Sequence, residues 1–214
     1  MSWCRSGYYP VMDTFLKTSE DIREQIWKEL GRATHDRHHA WRTPVLATAT
    51  EGGGVNGVNA RTVVLRGAQA KHQLLEIYTD QRSSKVAELS AQPNACLVFW
   101  SPRLHWQLRV QAEWSIQTTG AEVASRWQAV RQTKSAGDYM TYLAPGASLP
   151  QGEGDGEGEG NLQGAGLAPV AKAVEENYFA ILQARVIEID WLELGREQHR
   201  RAKWVGEAWQ WLSP

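Results

Sequence analysis

From Trp106 to Ile116 apolar and polar side chains alternate without a break. Trp106, Leu108, Val110, Ala112, Trp114 and Ile116 form one face, and Gln107, Arg109, Gln111 and Glu113 the other. Successive side chains of a strand point to opposite faces, whereas the apolar positions of a helix recur every third or fourth residue, so this run reads as a β-strand. A strand of this length, apolar on one side and polar on the other, suits the wall of a barrel.

The neighbouring segments fit the same architecture. Pro44 to Thr50 is short, apolar and β-branched, and EGGGVNGVN after it is a glycine-rich turn into the next strand, the signature of a hairpin. Val58 to Arg66 and Leu74 to Thr79 are expected to pair antiparallel across GAQAKHQ. Ala95 to Trp100 is a continuous apolar strand, Asn177 to Asp190 a further long one, and two short strands around Gly206 close the chain with Trp204, Trp209 and Trp211. The first helix is expected over Thr18 to Gly31, where Thr18 and Asp21 have capping-box spacing, Ile22, Ile26 and Leu30 share a face, and Gly31 is the stop. The segment SSKVAELSAQP gives a second helix with Val86 and Leu89 inward and Pro93 closing it, and Ala121 to Gln132 a third, striped by Val123, Trp127 and Val130. The total is roughly seven strands and three helices, a mainly β fold with flanking helices.

A chain of 214 residues is long enough for one sizeable core, so residues 1–214 are expected to form a single domain. Its formal net charge of -1 offers no global field to nucleic acid or an anionic membrane, and any anion has to be bound locally. Cys4 and Cys96 lie in unlike contexts, which argues against a disulfide framework and for a reducing compartment. No segment approaches the roughly 20 apolar residues of a membrane span, so a cytoplasmic protein is expected. His35, His38 and His39 come close in sequence, and His35 and His39 could share a helix face. No cysteine or carboxylate pair completes a metal site there, and the run reads as a solvated helix end. The glycine and acid of residues 150–169 cannot offset their ordering entropy and are expected to be a mobile insertion; the carboxylates have no EF-hand register.

Positive and hydroxyl side chains gather where the central segments end: Arg61, Arg66, Thr79, Arg82, Ser83, Ser84 and Lys85. Converging charge-assisted donors suit a phosphate ester, and the free N–H groups at the start of the second helix would add to them. The alternative is that these charges solvate strand ends and that the serine is a cap. Arg61 and Arg66 are five apart and on a regular strand point to opposite faces, so they have separate jobs unless the strand ends or bulges between them. Gln107 and Arg109 project together, as do His199 and Arg201. Trp127, Arg131 and Ser135 follow at four-residue steps and would present a plate, a cation and a hydroxyl to a ring-plus-phosphate ligand if the helix continued.

RTVVLR followed by YTDQRSSK and then by QLRV, with the ending HRR…W…LSP, resembles the pyridoxamine 5'-phosphate oxidase family of FMN-binding split barrels. The likeness runs from about Val45 to the C-terminus, apart from the glycine-acid insertion. It implies a Greek-key split β-barrel of about six to seven antiparallel strands and a homodimer with FMN at the subunit interface. By position, Arg61, Thr62, Val63, Val64, Leu65 and Arg66 would line the flavin. Tyr78, Thr79, Arg82, Ser83, Ser84, Lys85 and Gln107 would supply phosphate, ribityl and ring contacts, and Trp191 and Arg201 would complete the site from the partner subunit. Arg66, Trp127, Arg131, Ser135 and His199 fall on the family's substrate positions, with Arg131 and His199 in the catalytic roles. Arg66 replaces a lysine, and Glu197 stands where an arginine is expected and would repel a phosphate or carboxylate. The implied function is an FMN-dependent oxidase acting on a small phosphorylated substrate, with no metal. The alternative is an FMN-binding carrier or sensor without oxidase activity.

Overall fold

The computed structural model describes residues 18–50, 57–148, 177–195, 198–206 and 208–214. Cys4, the insertion 150–169 and Glu197 lie outside the described residues. The Thr18 hydroxyl accepts from the Asp21 N–H while the Asp21 carboxylate accepts from the Thr18 N–H, the reciprocal box that their spacing announces. Helix α1 (Ser19–His35) then buries Ile22, Ile26, Trp27, Leu30 and Ala33 along one stripe. It runs a turn past Gly31, which keeps a helical backbone, and ends where the Asp36 N–H bonds the Arg32 carbonyl at 2.9 Å.

The described residues form nine strands, each antiparallel to its neighbours: β1 (Val45–Ala49), β2 (Val58–Thr62), β3 (Leu65–Gln69), β4 (Leu74–Asp80), β5 (Asn94–Ser101), β6 (Trp106–Gln117), β7 (Phe179–Leu194), β8 (His199–Val205) and β9 (Ala208–Leu212). Helix α2 (Ser84–Ala91) joins β4 to β5, and α3 (Ala121–Val130) follows β6. The strand order is β2-β1-β5-β6-β7-β4-β3, with β8 on β7 and β9 on β8. β2 and β3 are the two ends of that path, yet only Val63 and Val64 separate them in sequence. The sheet therefore has to curl until its ends approach, which makes a barrel.

One expectation about pairing is corrected by this crossing. Val58–Arg66 is two strands: the Val63 N–H bonds the Pro44 carbonyl at 2.9 Å, one step beyond the last pair of the β1–β2 ladder, and Val63 and Leu65 turn into the core. Only the second half pairs with β4, while the first is the hairpin partner of β1. β7 pairs with β6 along its length, but its other edge is shared, Phe179–Arg185 with β4 and Glu188–Leu194 with β8. That shared edge splits the barrel. β6 buries Trp106, Leu108, Val110, Ala112 and Trp114 and turns Arg109, Gln111 and Glu113 outward, as the alternation requires. Gly206, at φ +57°, makes the turn between β8 and β9, a left-handed conformation that glycine adopts without strain.

One buried carboxylate ties α1 to the barrel. Glu29 accepts from Gln25 at 2.9 Å, Arg32 at 3.0 Å and Arg103 at 2.9 Å, and it meets His39 Nε2 at 2.8 Å. His39 lies beyond the end of α1, so it does not share a helix face with His35. Its Nδ1 accepts from the Trp41 N–H at 3.1 Å, which leaves Nε2 to carry the proton toward Glu29. No metal-binding cluster occurs among the described residues. Burial pushes the Glu29 carboxyl up, but the His39 hydrogen bond and the charges of Arg103 and Arg32 outweigh it and hold the group below its ordinary value. A depressed carboxylate stabilises the fold above the unfolded-state value of about 4.3, and the contribution is lost as pH falls through the folded value. Glu29→Gln is therefore expected to cost about 2 kcal/mol at neutral pH and to flatten the acid limb of a denaturant-midpoint profile below about pH 4. An unchanged profile would show that the carboxylate's charge does not support the fold.

No helix among the described residues is long and apolar enough to cross a membrane.

Candidate functional site

Cations and hydroxyls meet where β4 runs into α2. Thr79, near the end of β4, is buried, and its hydroxyl accepts from Lys85 Nζ at 3.0 Å. Ser83 is the N-cap residue of α2, but its side chain makes no capping bond and pairs instead with the Thr79 hydroxyl at 3.2 Å. The first turn of α2 is thus left without a side-chain cap, with Ser84 exposed at its head. Arg61, at the end of β2, completes the group. Burial pushes the Lys85 ammonium down first, the Arg61 charge pushes it further, and Glu88 and Asp80 pull it back. Two cations, two hydroxyls and a helix N-terminus suit a phosphate monoester, so the residues present fit the phosphate of FMN.

Arg61 and Arg66 serve different places, because the strand breaks between them. The Arg61 guanidinium reaches Thr48 and, at 2.6 Å, Glu88. Arg66 lies over the Tyr78 ring, 5.9 Å from its centroid. Burial pushes the Tyr139 phenol up and the nearby Arg66 charge pulls it back, so Arg66 sits between two tyrosines. Tyr139 closes a short 3-10 segment, Lys134–Tyr139, and packs with Phe179 and Trp127. Thr62 and Val64 remain accessible along the crossing, while Val63 and Leu65 are buried.

Gln107 belongs to the outward face of the sheet. It shares that face with Arg109, and through the register Gln107↔Leu192↔Arg201 with Arg201. Arg201 is held in a bidentate pair by Asp190, Nε to Oδ1 at 3.0 Å and the second nitrogen to Oδ2 at 2.7 Å, and Arg109 reaches the same carboxylate. Burial raises the Asp190 carboxyl, but its hydrogen bonds from Arg201 and Arg109 hold it low. His199 and Arg201 line a cavity of about 310 Å³ with Trp211 and Pro214.

Two expected site residues stand elsewhere, and one expected grouping does not form. Trp191 alternates with Asp190 and Leu192, so it points into the core; it is fully buried, 5.3 Å edge-on to Trp106 and 6.4 Å from Trp211. Its indole is packing and has no surface to turn toward a partner's ligand. Arg82 is drawn off by Asp80, two residues earlier, at 2.6 Å, stacks 3.4 Å over Tyr178, and donates to the carbonyls of Thr141 and Tyr142. It straps the segment after Tyr139 to the β4–α2 turn. The shared helix face of Trp127, Arg131 and Ser135 does not form: α3 stops at Val130, Arg131 is its exposed C-cap and Ser135 sits in the 3-10 segment. The sequence reading also missed Glu88, Thr48, Asn59, Asp190 and Tyr139. Only the outward parity of Asp190 was readable, from its place between Ile189 and Trp191.

A curled antiparallel sheet with this cradle at one end has the fold of the FMN-binding split barrels. It superposes on a pyridoxamine 5'-phosphate oxidase-related, FMN binding protein from Nostoc punctiforme with a TM-score of 0.61, at 22% identity over 90% of this chain and 97% of that one. It also superposes on PhzG from Burkholderia lata, with a TM-score of 0.64 at 16% identity over 98% of each chain. Residues 24–118, less than half of the chain, match the family model described as pyridoxamine 5'-phosphate oxidase, FMN-binding domain. A pyridoxine/pyridoxamine 5'-phosphate oxidase of Leptospira interrogans is 41% identical over 66 residues, which span 31% of this chain and 28% of the relative.

Proposed function

We propose that this chain is an FMN-dependent oxidoreductase of the pyridoxamine/pyridoxine 5'-phosphate oxidase type, working in the cytoplasm as a homodimer with FMN at the subunit interface. The observation that carries the reading is the cradle of Arg61, Thr79, Ser83 and Lys85 at the head of α2, inside the segment that matches the FMN-binding domain. The redox chemistry would be supplied by bound FMN, as acceptor of a hydride from the amine- or alcohol-bearing carbon of the substrate, with oxygen as the final acceptor. The chain's own part is to bind and orient. Lys85 and Arg61 neutralise the cofactor phosphate, Thr79 fixes Lys85, and Gln107 offers an amide from the outward face. Arg66, with Arg131 and Ser135, would hold a substrate phosphate, and His199 would orient the reacting carbon.

A second reading, an FMN-binding carrier or sensor without oxidase activity, is favoured by one observation. Trp127, Arg131 and Ser135 share no helix face, so the substrate half of the site is less assembled than the cofactor half. The purified protein is expected to be yellow and to release FMN on denaturation, and to produce hydrogen peroxide with pyridoxamine 5'-phosphate. A flavin-loaded sample that turns over neither pyridoxamine nor pyridoxine 5'-phosphate would select the carrier, and a colourless chain that takes up no FMN would end both readings.

A further inference from the structure

Glu88 is a carboxylate inside a site built for an anion, on the second turn of α2 and one turn along from Lys85. Its side chain is nearly buried, at 11% exposure. Three donors from two strands fix it: the Thr48 hydroxyl at 2.6 Å from β1, and the Asn59 amide at 2.9 Å and the Arg61 guanidinium at 2.6 Å from β2. Burial pushes its carboxyl up, but the bonds from Thr48, Asn59 and Arg61 outweigh that and keep it ionised. A negative charge beside a phosphate site is unfavourable by Coulomb's law alone, so its presence needs a compensating role.

We propose that Glu88 is the positioning residue of the phosphate cradle: it holds the Arg61 guanidinium in place before the cofactor phosphate arrives. The inference rests on the FMN reading above and adds to it a residue that does not itself touch the ligand. A guanidinium has five N–H donors; Glu88 and Thr48 take two directions of Arg61 and leave the others for a phosphate. Asn59 anchors the carboxylate independently of Arg61, and the Thr48 hydroxyl bonds both groups, so Glu88 is a fixed support and not a loose competitor for the arginine. Its charge also offsets the repulsion between Arg61 and Lys85, and so helps keep Lys85 protonated. Without Glu88 the long Arg61 side chain would have to be ordered at the moment of binding, which lowers affinity by about tenfold for one such side chain.

The test compares FMN with riboflavin, which has the same ring and ribityl chain but no phosphate. Each is titrated by flavin fluorescence into the wild type, Glu88→Ala, Glu88→Gln, Arg61→Ala and the Arg61→Ala/Glu88→Ala double variant. Glu88→Ala is expected to weaken FMN about tenfold while leaving riboflavin unchanged, and to add nothing once Arg61 is gone. Glu88→Gln, whose amide oxygen can still accept from Arg61, is expected to recover part of the loss. Equal weakening of FMN and riboflavin would show a general structural role and overturn the proposal, as would FMN affinity unchanged in Glu88→Ala or a further loss in the double variant. A wild type that binds neither flavin overturns the FMN reading itself, and this inference with it; a wild type that binds FMN normally beside an unaffected Glu88→Ala overturns this inference alone.

Discussion

Lys85→Ala is expected to weaken FMN binding on the order of 100-fold while leaving riboflavin binding nearly unchanged, as read by flavin fluorescence titration. Lys85 is half-buried, its ammonium is steered by the Thr79 hydroxyl, and the first turn of α2 has no side-chain cap to compete for a ligand. Burial has already removed much of the lysine's hydration, and the nearby Arg61 raises the energy of the charged form further. A phosphate dianion relieves both effects at once, which is why this one contact is worth more than a surface ion pair. The same lowering gives the pH dependence its sign. Affinity is highest while Lys85 is protonated and falls as pH rises through its depressed value, earlier than an exposed lysine would lose its proton. Lys85→Arg keeps the charge but brings a planar fork to a place shaped for a point charge, so an intermediate affinity is expected. An unchanged Kd in Lys85→Ala would put the phosphate somewhere else.

How much of this was legible in the sequence follows from how local each signal was. The capping box of Thr18 and Asp21, the period of two from Trp106 to Ile116 and the Gly206 turn rest on residues within a dozen positions of one another, and each forms as expected. Ser83, Ser84 and Lys85 were readable as neighbours at the start of α2 for the same reason. Glu88 was not, because its partners Thr48, Asn59 and Arg61 come from a hairpin that only the curled sheet brings to α2. Arg82 shows the opposite failure. It is adjacent in sequence to the cradle, but Asp80, Tyr178 and two carbonyls beyond Tyr139 offer it closer partners. Strand parity separates Trp191 from Arg201: they lie on adjacent strands, but one faces the core and the other the outward face. Position in a motif therefore transfers poorly to a side chain unless its face is also known.

Trp41→Ala is expected to destabilise the protein by about 4 kcal/mol, lowering Tm by about 10 °C for a chain of this size. Trp41 is fully buried in the short 3-10 turn Ala40–Arg42, where α1 meets the barrel. Its ring centroid lies 6.0 Å from Phe99 of β5 and 6.4 Å from Trp106 of β6, and its backbone N–H is held by His39, which Glu29 holds in turn. Removing the indole leaves a cavity bounded by two strands and a helix that the carboxylate hub keeps from closing in, and a site that cannot collapse bears the full cost. The indole Nε1 has no hydrogen-bond partner in the protein among the described residues. Trp41→Phe therefore gives up area but no hydrogen bond, and is expected to cost less than half as much as the alanine variant. Equal losses in the two variants would show that the indole N–H is satisfied after all. Because β6 carries Gln107 outward from the same strand whose Trp106 packs on Trp41, the alanine variant also separates fold from site. FMN affinity measured well below its Tm should stay within about threefold of wild type, since surroundings relax only partly around a cavity and Arg61, Thr79 and Lys85 stand on other elements. A loss of affinity as large as that of Lys85→Ala would mean that the cradle depends on the packing beneath β6, and that core and cofactor site are one cooperative unit.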